Sequence, residues 1–150
     1  MGLEKGSLVV RRIDSKDAAA VADIQSTITK STVDIDFGHL IEDQEIDSRN
    51  LSFVAEIDGK IAGFMITYLL NGGFGLEKSA WIATMGVSPG FMGQGIGVKL
   101  AEEIFRVCGE QGISRIFTSV RWDSADLLSF FKTLGFDRSN FINLSRDLDH

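Results

Sequence analysis

Apolar positions along this chain fall into two rhythms, and the changes between them mark the elements. Residues 8–13 form a short apolar run that predicts a first strand. Ser15 is then placed to cap a helix whose apolar stripe is Ala18, Val21, Ile24 and Ile28. Between Thr29 and Asn50 the pattern weakens and acidic residues gather (Asp34, Asp36, Glu42, Asp43, Glu45 and Asp47), with a short helix expected around 37–46. Residues 51–57 and 60–70 read as two strands joined by Asp58-Gly59, a dipeptide suited to a two-residue hairpin turn with positive φ. Asn71-Gly72-Gly73-Phe74-Gly75 reads as a loop and 79–87 as the next strand.

The helical period returns at Ile96, Leu100, Ile104 and Cys108, predicting a long helix over 94–111 with Gly112 as its cap. Residues 114–120 form another strand. Asp123 is expected to cap the following helix, with Asp126 at its third position. That helix carries Leu127, Leu128, Phe131 and Leu134 on one face and stops at Gly135. Residues 141–148 are expected to form a last strand. An antiparallel meander followed by crossover helices predicts a mixed, mostly antiparallel sheet with helices on both faces, of the α+β or α/β class.

Composition narrows this picture. The 150 residues suit a single domain, 44% hydrophobic and 24% charged, as in ordinary soluble proteins. The net charge of −6 and pI of about 4.8 argue against a phosphate-backbone partner, so no nucleic acid is expected. The single cysteine, Cys108, allows no internal disulfide and no cysteine metal cluster, and its place in the apolar stripe reads as core. The longest apolar run lies within 61–70, too short to span a bilayer; with no leader pattern, no membrane partner and a cytoplasmic location are expected.

The chemistry concentrates between Val87 and Leu100, where a strand enters a glycine-rich turn and a helix leaves it. Gly93, Gly95 and Gly97 let bare backbone N–H groups approach a ligand, and the helix N-terminus adds unpaired N–H groups with partial positive charge. Together they form a pyrophosphate site. A P-loop is excluded because no Gly-Lys-Ser/Thr ending exists, and a Rossmann turn because the glycine spacing is wrong. The plainer alternative is a turn that only lets a helix pack closely on a sheet.

Val87-x-Pro89-x-x-x-Gly93-x-Gly95-x-Gly97 resembles motif A of the GCN5-related N-acetyltransferases (GNAT family), and Phe130-Phe131-Lys132-Thr133-Leu134-Gly135-Phe136 resembles a later motif of the same family. The resemblance implies a GNAT-like acyl-CoA N-acyltransferase fold and acetyl-CoA as cosubstrate. It implies that Met85, Gly86 and Val87 pair with the pantetheine arm, and that main-chain groups of Met92, Gly93, Gln94, Gly95, Ile96, Gly97 and Val98 hold the pyrophosphate.

The chain also departs from the family pattern. Met92 replaces the usual Arg or Gln, leaving Gln94 as a neutral hydrogen-bonding side chain. Ser124 stands where the family often has Asn, and Phe131 where it often has the tyrosine that protonates the departing thiolate. The family's last two strands are compressed, so that one is missing or is supplied by a neighbour in a homodimer.

Acetyl transfer needs a neutral amine, a stabilised carbonyl oxygen and a departing thiolate. The strand before the turn holds no carboxylate; Thr84 is its central polar side chain and can position water. Glu56 on the hairpin is the candidate base, set against a merely solvated position, and Tyr68 a candidate acid, set against strand packing. On the acceptor side, Asp36, His39 and Asp43 share helical spacing and could bind an ammonium; a metal site there is the less favoured reading. Arg121 and Trp122 could contact acceptor or adenine. Phe64, Met65, Phe74 and Met85 are candidates for an apolar acyl pocket or for simple core. The acceptor class is left as a small-molecule or peptide amine. A non-catalytic acyl-CoA-binding or sensing module and a transferase for another acyl group stand as alternatives.

Overall fold

The computed structural model describes residues 7–29, 38, 41, 50–70 and 78–149. Among the described residues, five strands form one sheet in sequential order: β1 (Leu8–Arg12), β2 (Phe53–Ile57), β3 (Lys60–Leu70), β4 (Ser79–Val87) and β5 (Ile116–Thr118). The first three pairings are antiparallel, and β4 pairs with β5 in parallel. The helices bounded within the described residues are α1 (Ala18–Thr29), α2 (Ile96–Glu110) and α3 (Ala125–Thr133). The mixed, mostly antiparallel sheet predicted from the sequence is the one observed.

The two faces of the sheet carry two cores. Val21 and Ile24 of α1 pack with Val54, Phe64 and Ile66 on one face. On the other, Ile96, Leu100 and Ile104 of α2 pack with Phe53, Ala55, Ala62, Met65 and Ile82, and Phe131 of α3 joins them. Along β2 the clusters alternate as a period of two requires, with Val54 on one face and Phe53 and Ala55 on the other; on β3 a bulge leaves Ala62 without a β2 partner and sets it on the same face as Met65, three positions on. The expected hairpin turn is present: Asp58 and Gly59 adopt φ of 53° and 79°, which match the twist of the flanking strands.

Several sequence expectations are corrected. Asp14, rather than Ser15, caps the entry to α1. Its side chain accepts from the Lys16 N–H at 3.0 Å, and Asp17 returns the bond from the Asp14 N–H at 2.9 Å, through a short 3-10 turn over Ser15–Asp17. Ser124, rather than Asp123, is the N-cap of α3, and its side chain makes no capping bond. Asp123 is held instead by Arg121 at 3.0 Å. Strand β2 starts at Phe53 because Asn50 and Ser52 use side-chain bonds: Asn50 Oδ1 accepts from Ser52 N–H at 2.8 Å, and Ser52 Oγ from Thr67 N–H at 2.9 Å.

The largest correction is at the end of the chain. Residues 141–148 form no strand, and Ile142 and Leu144 are 85% and 86% exposed. A strand requires an edge to pair with, and this segment meets none. Strand β5 is correspondingly short, paired on one side alone. On α3, Phe131 is buried as expected, but Leu127 and Leu128 of the same predicted face are exposed. The acidic segment is represented only by Gly38 and Ile41, both helical, with Ile41 fully buried beside Val21. Asp36, His39, Asp43 and Phe74, with the Gly72-Gly73 loop, lie outside the described residues.

Candidate active site

The site begins with a strand whose two edges differ. Strand β4 pairs with β3 along its whole length, from Ser79 opposite Leu70 to Val87 opposite Gly63. With β5 it pairs only at Ala80, Trp81 and Ile82. Thr118 Oγ1 donates to the Ile82 carbonyl at 2.9 Å at the end of that pairing. Beyond it, among the described residues, the second edge of 83–87 has no partner strand. An unpaired edge is a row of main-chain donors and acceptors ready to accept an extended, amide-bearing ligand.

A bulge marks the start of this free edge. Ile66 pairs with Thr84 but Thr67 with Ile82, so Ala83 has no opposite residue. The extra residue bends β4 and turns Thr84 toward the α1 face, where Ile66 lies, leaving Met85 on the α2 face. Ala83 itself is exposed. The sequence carried a faint sign of this: Ile82 and Met85, both apolar, sit three apart where an even spacing would keep them on one face.

The free edge runs into the glycine turn. After Val87 a 3-10 turn spans Pro89–Phe91, with Phe91 N–H bonded to the Ser88 carbonyl at 2.8 Å. Gly93 and Gly95 then adopt φ of 82° and 75°, the left-handed region that disfavours a side chain. Gly95 is the N-cap of α2, and the first intrahelical bond runs from Lys99 N–H to its carbonyl at 3.1 Å. The N–H groups of Ile96, Gly97 and Val98 therefore lack intrahelical acceptors. No acidic side chain stands in this first turn to compete for them. The cradle is thus amide-lined and electrostatically positive, fitting the pyrophosphate of a CoA thioester.

Gly97 serves a different purpose. A Cβ there would lie 3.0 Å from the end of the Phe130 ring and 3.4 Å from Met85 Cε. Its absence lets α3 close on the first turn of α2, and places Phe130 and Met85 together at the mouth of the free edge. Phe130 was not among the sequence candidates; its neighbour Phe131 was. Phe131 is 5% exposed and packs edge-on against Phe130 and Phe136, with centroids 5.1 and 5.2 Å away. It carries no group that can donate a proton.

The polar candidates separate. Tyr68, opposite Trp81, and Thr84, opposite Ile66, share the α1 side of the sheet two rows apart. Glu56 does not join them. It stands opposite Ile61, five residues along β3 from Ile66, the partner of Thr84, and two strands across from Thr84. There it accepts from Arg11 Nη2 at 3.0 Å, while Arg11 also grips Asp17 at 2.8 and 2.9 Å. Burial works against the Asp17 carboxylate, but the Arg11 bonds and the Asp14 N–H hold it below the usual range. The trio ties β1, β2 and the entry to α1. Phe64 and Met65 are fully buried on opposite faces, so they cannot line one acyl pocket. Arg121 and Trp122 are exposed on the turn before α3. Among the described residues no cluster of His, Cys, Asp or Glu has metal-binding geometry, and no helix is long and apolar enough to cross a membrane.

Comparison with known proteins agrees with this geometry. The chain matches the model of the Acetyltransferase (GNAT) family over residues 18–136. It is 31% identical over 107 residues to a mycothiol acetyltransferase of Amycolatopsis mediterranei (strain U-32), covering 65% of this chain but only 36% of that relative's length. An aminoglycoside acetyltransferase from an uncultured soil metagenomic sample superposes with a TM-score of 0.76 at 21% identity, over 95% of this chain and 97% of that one. A ribosomal-protein-alanine N-acetyltransferase from Brucella melitensis biovar Abortus 2308 gives a TM-score of 0.76 at 17% identity, over 95% and 100%. At these identities the structural likenesses speak to the fold, while the family match extends over most of the chain and includes both the glycine turn and the Leu-Gly-Phe helix. The chain belongs to the GNAT acetyltransferase family.

Proposed function

We propose that this chain transfers the acetyl group of acetyl-CoA to a primary amine, directly, within a ternary complex. The observation that carries the reading is the continuity of the free β4 edge with the amide cradle of α2. A pantetheine arm can pair with the main chain of Met85–Val87 as an added strand, and its pyrophosphate then meets the N–H groups of residues 92–98. Met92 and Gln94 bring no charge, so main-chain amides carry the phosphate contact. Ser124 lies at the start of α3.

The amine lone pair attacks the thioester carbonyl to form the C–N bond, the C–S bond breaks, the nitrogen gives up its extra proton to solvent, and the thiolate leaves to be protonated. Thr84 and Tyr68 are suited to orient water and acceptor from the α1 side of the sheet. Glu56, engaged by Arg11, serves the fold instead. With Phe131 in the thiol-side position, solvent supplies the proton to the leaving group. No described side chain near the free edge takes a proton at neutral pH, so the amine must arrive neutral. The turnover rate should then climb tenfold per pH unit through pH 7–8, toward the ordinary amine range. A plateau near pH 6–7 would instead reveal a protein base.

The acceptor falls among the amines that such relatives name: an aminoglycoside, a mycothiol-type small molecule, or an alanine-bearing protein. Mass spectrometry with labelled acetyl-CoA and a panel of polyamines, aminoglycosides and alanine-starting peptides tests the reading. Saturable acetyl-CoA binding in calorimetry together with a labelled product supports it. Absence of acetyl-CoA binding ends it. Phe131 favours a second reading, a non-catalytic acyl-CoA sensor, because a buried phenyl ring supplies no proton. Binding without product from any amine would select that reading.

A further inference from the structure

The free edge of β4 ends where β4 and β5 rejoin, and that junction limits how far a thioester can reach. With the pyrophosphate on the α2 cradle and the pantetheine arm along 85–87, the acyl end points back toward Ala83. Beyond Ala83 stands the last β4–β5 pair, Ile82 with Thr118. The Thr118 Oγ1 bond to the Ile82 carbonyl, at 2.9 Å, closes that pair. An acyl chain cannot continue straight between the strands, so a chain longer than acetyl has to turn to one face of the sheet.

The two faces differ. On the α2 side the row through the junction is Thr67, Ile82 and Thr118, and Phe131 belongs to the same core. Thr67, Ile82 and Phe131 are 1%, 3% and 5% exposed, so this side is closed. On the α1 side Ala83 is exposed, and Thr84 and Trp81 are half-buried. The row beyond Thr84 on that side is Tyr68, Trp81 and Phe117, which are cross-strand neighbours. The open side of the junction is therefore walled by an indole.

That wall is propped. The Trp81 ring lies nearly flat against Phe117, with centroids 5.0 Å apart and planes at 19°. Phe117 is backed in turn by the Arg115 guanidinium at 6.0 Å and by the edge-on Phe141 ring at 5.8 Å. The Trp81 indole N–H is buried and meets no acceptor among the described residues. A buried indole N–H normally finds an acceptor. Here stacking holds the ring, and what it brings to the junction is volume. A ring packed this way yields to an inserted chain only at a cost.

We propose that Trp81 is the acyl-length stop of this chain: it leaves room for an acetyl group at the junction and excludes longer acyl groups. The proposal rests on the thioester entering along the free β4 edge. Tyr68 and Thr84 lie on the same side, so a longer chain would also fill the acceptor's approach.

Calorimetric titration of the whole 150-residue chain with free CoA, acetyl-CoA, butyryl-CoA and hexanoyl-CoA tests it without an amine. Free CoA and acetyl-CoA should bind, and the dissociation constant should rise about tenfold or more from acetyl- to hexanoyl-CoA, because added methylenes overpack the junction. In Trp81→Ala the order should reverse, each newly buried methylene tightening binding roughly fourfold. Trp81→Leu should narrow the difference, and it serves if Trp81→Ala does not fold. Trp81→Phe removes the N–H but keeps a ring, and should keep the wild-type order. Hexanoyl-CoA binding the wild type as tightly as acetyl-CoA overturns the proposal and leaves the acetyl-CoA reading standing. So does a folded Trp81→Ala or Trp81→Leu that keeps the wild-type ratio. If neither free CoA nor acetyl-CoA binds, both the stop and the reading beneath it fall.

Discussion

Replacing Gly95 by alanine isolates the shape of the turn from its packing. At φ 75° an L side chain pays about 1–2 kcal/mol in backbone strain. No second term intrudes, because a Cβ at this position meets nothing within 4 Å. In the acetyl-CoA complex the turn must keep its shape, so the bound form bears the full strain. In the free protein the turn can relax and escape part of it. The loss therefore divides between a lower stability of the free protein and a weaker affinity, and the two together should total about 1–2 kcal/mol. If the free turn relaxes fully, that is roughly a 5- to 30-fold rise in the acetyl-CoA dissociation constant. Gly90→Ala is the control: its φ is not positive and its Cβ also meets open space. Gly95→Asn should recover part of the loss, because asparagine tolerates the left-handed region. Calorimetric titration and denaturant unfolding of the four proteins measure both parts. If Gly95→Ala matched Gly90→Ala in affinity and stability, the turn would not need its left-handed residue, and the cradle argument would fail.

Four further outcomes rest on the packing and the charges. Arg11→Ala leaves Asp17, 4% exposed, without its cation; a loss of about 2–3 kcal/mol in urea unfolding is expected, below the 3–5 kcal/mol of fully buried pairs because Arg11 is itself 30% exposed. Asp17 has a folded-state pKa below its unfolded value, so its stabilisation is complete above about pH 4 and should fade as pH drops further, with a weaker acid limb in Arg11→Ala. Burial pushes the Cys108 thiol up to about 11, so the unfolded chain loses that proton first; stability should fall between about pH 8.5 and 11, and Cys108→Ala should flatten that limb. Leu100→Ala, at a fully buried position between α2 and the sheet, should cost about 2–5 kcal/mol in the same assay.

The sequence revealed features whose cause is local, and missed those whose cause lies in a neighbour. The Asp58-Gly59 hairpin, the 79–87 strand and the glycine turn each depend on residues within a few positions, so their chemistry could be read directly. The bulge at Ala83 is different: it exists as a mismatch between two strands, and its one trace in the sequence is the three-residue spacing of the apolar Ile82 and Met85. Glu56 appeared available because its own strand leaves it opposite the apolar face of Phe53 and Ala55. Its partner Arg11 lies 45 positions away and becomes visible only when β1 pairs with β2. The same logic governs 141–148. Its alternation was legible as a strand, yet a strand is a relation between two backbones, and residues 141–148 pair with none in the structure. Leu127 and Leu128, predicted as core and found exposed, obey it too, since helical spacing sets a face and only a neighbour covers it.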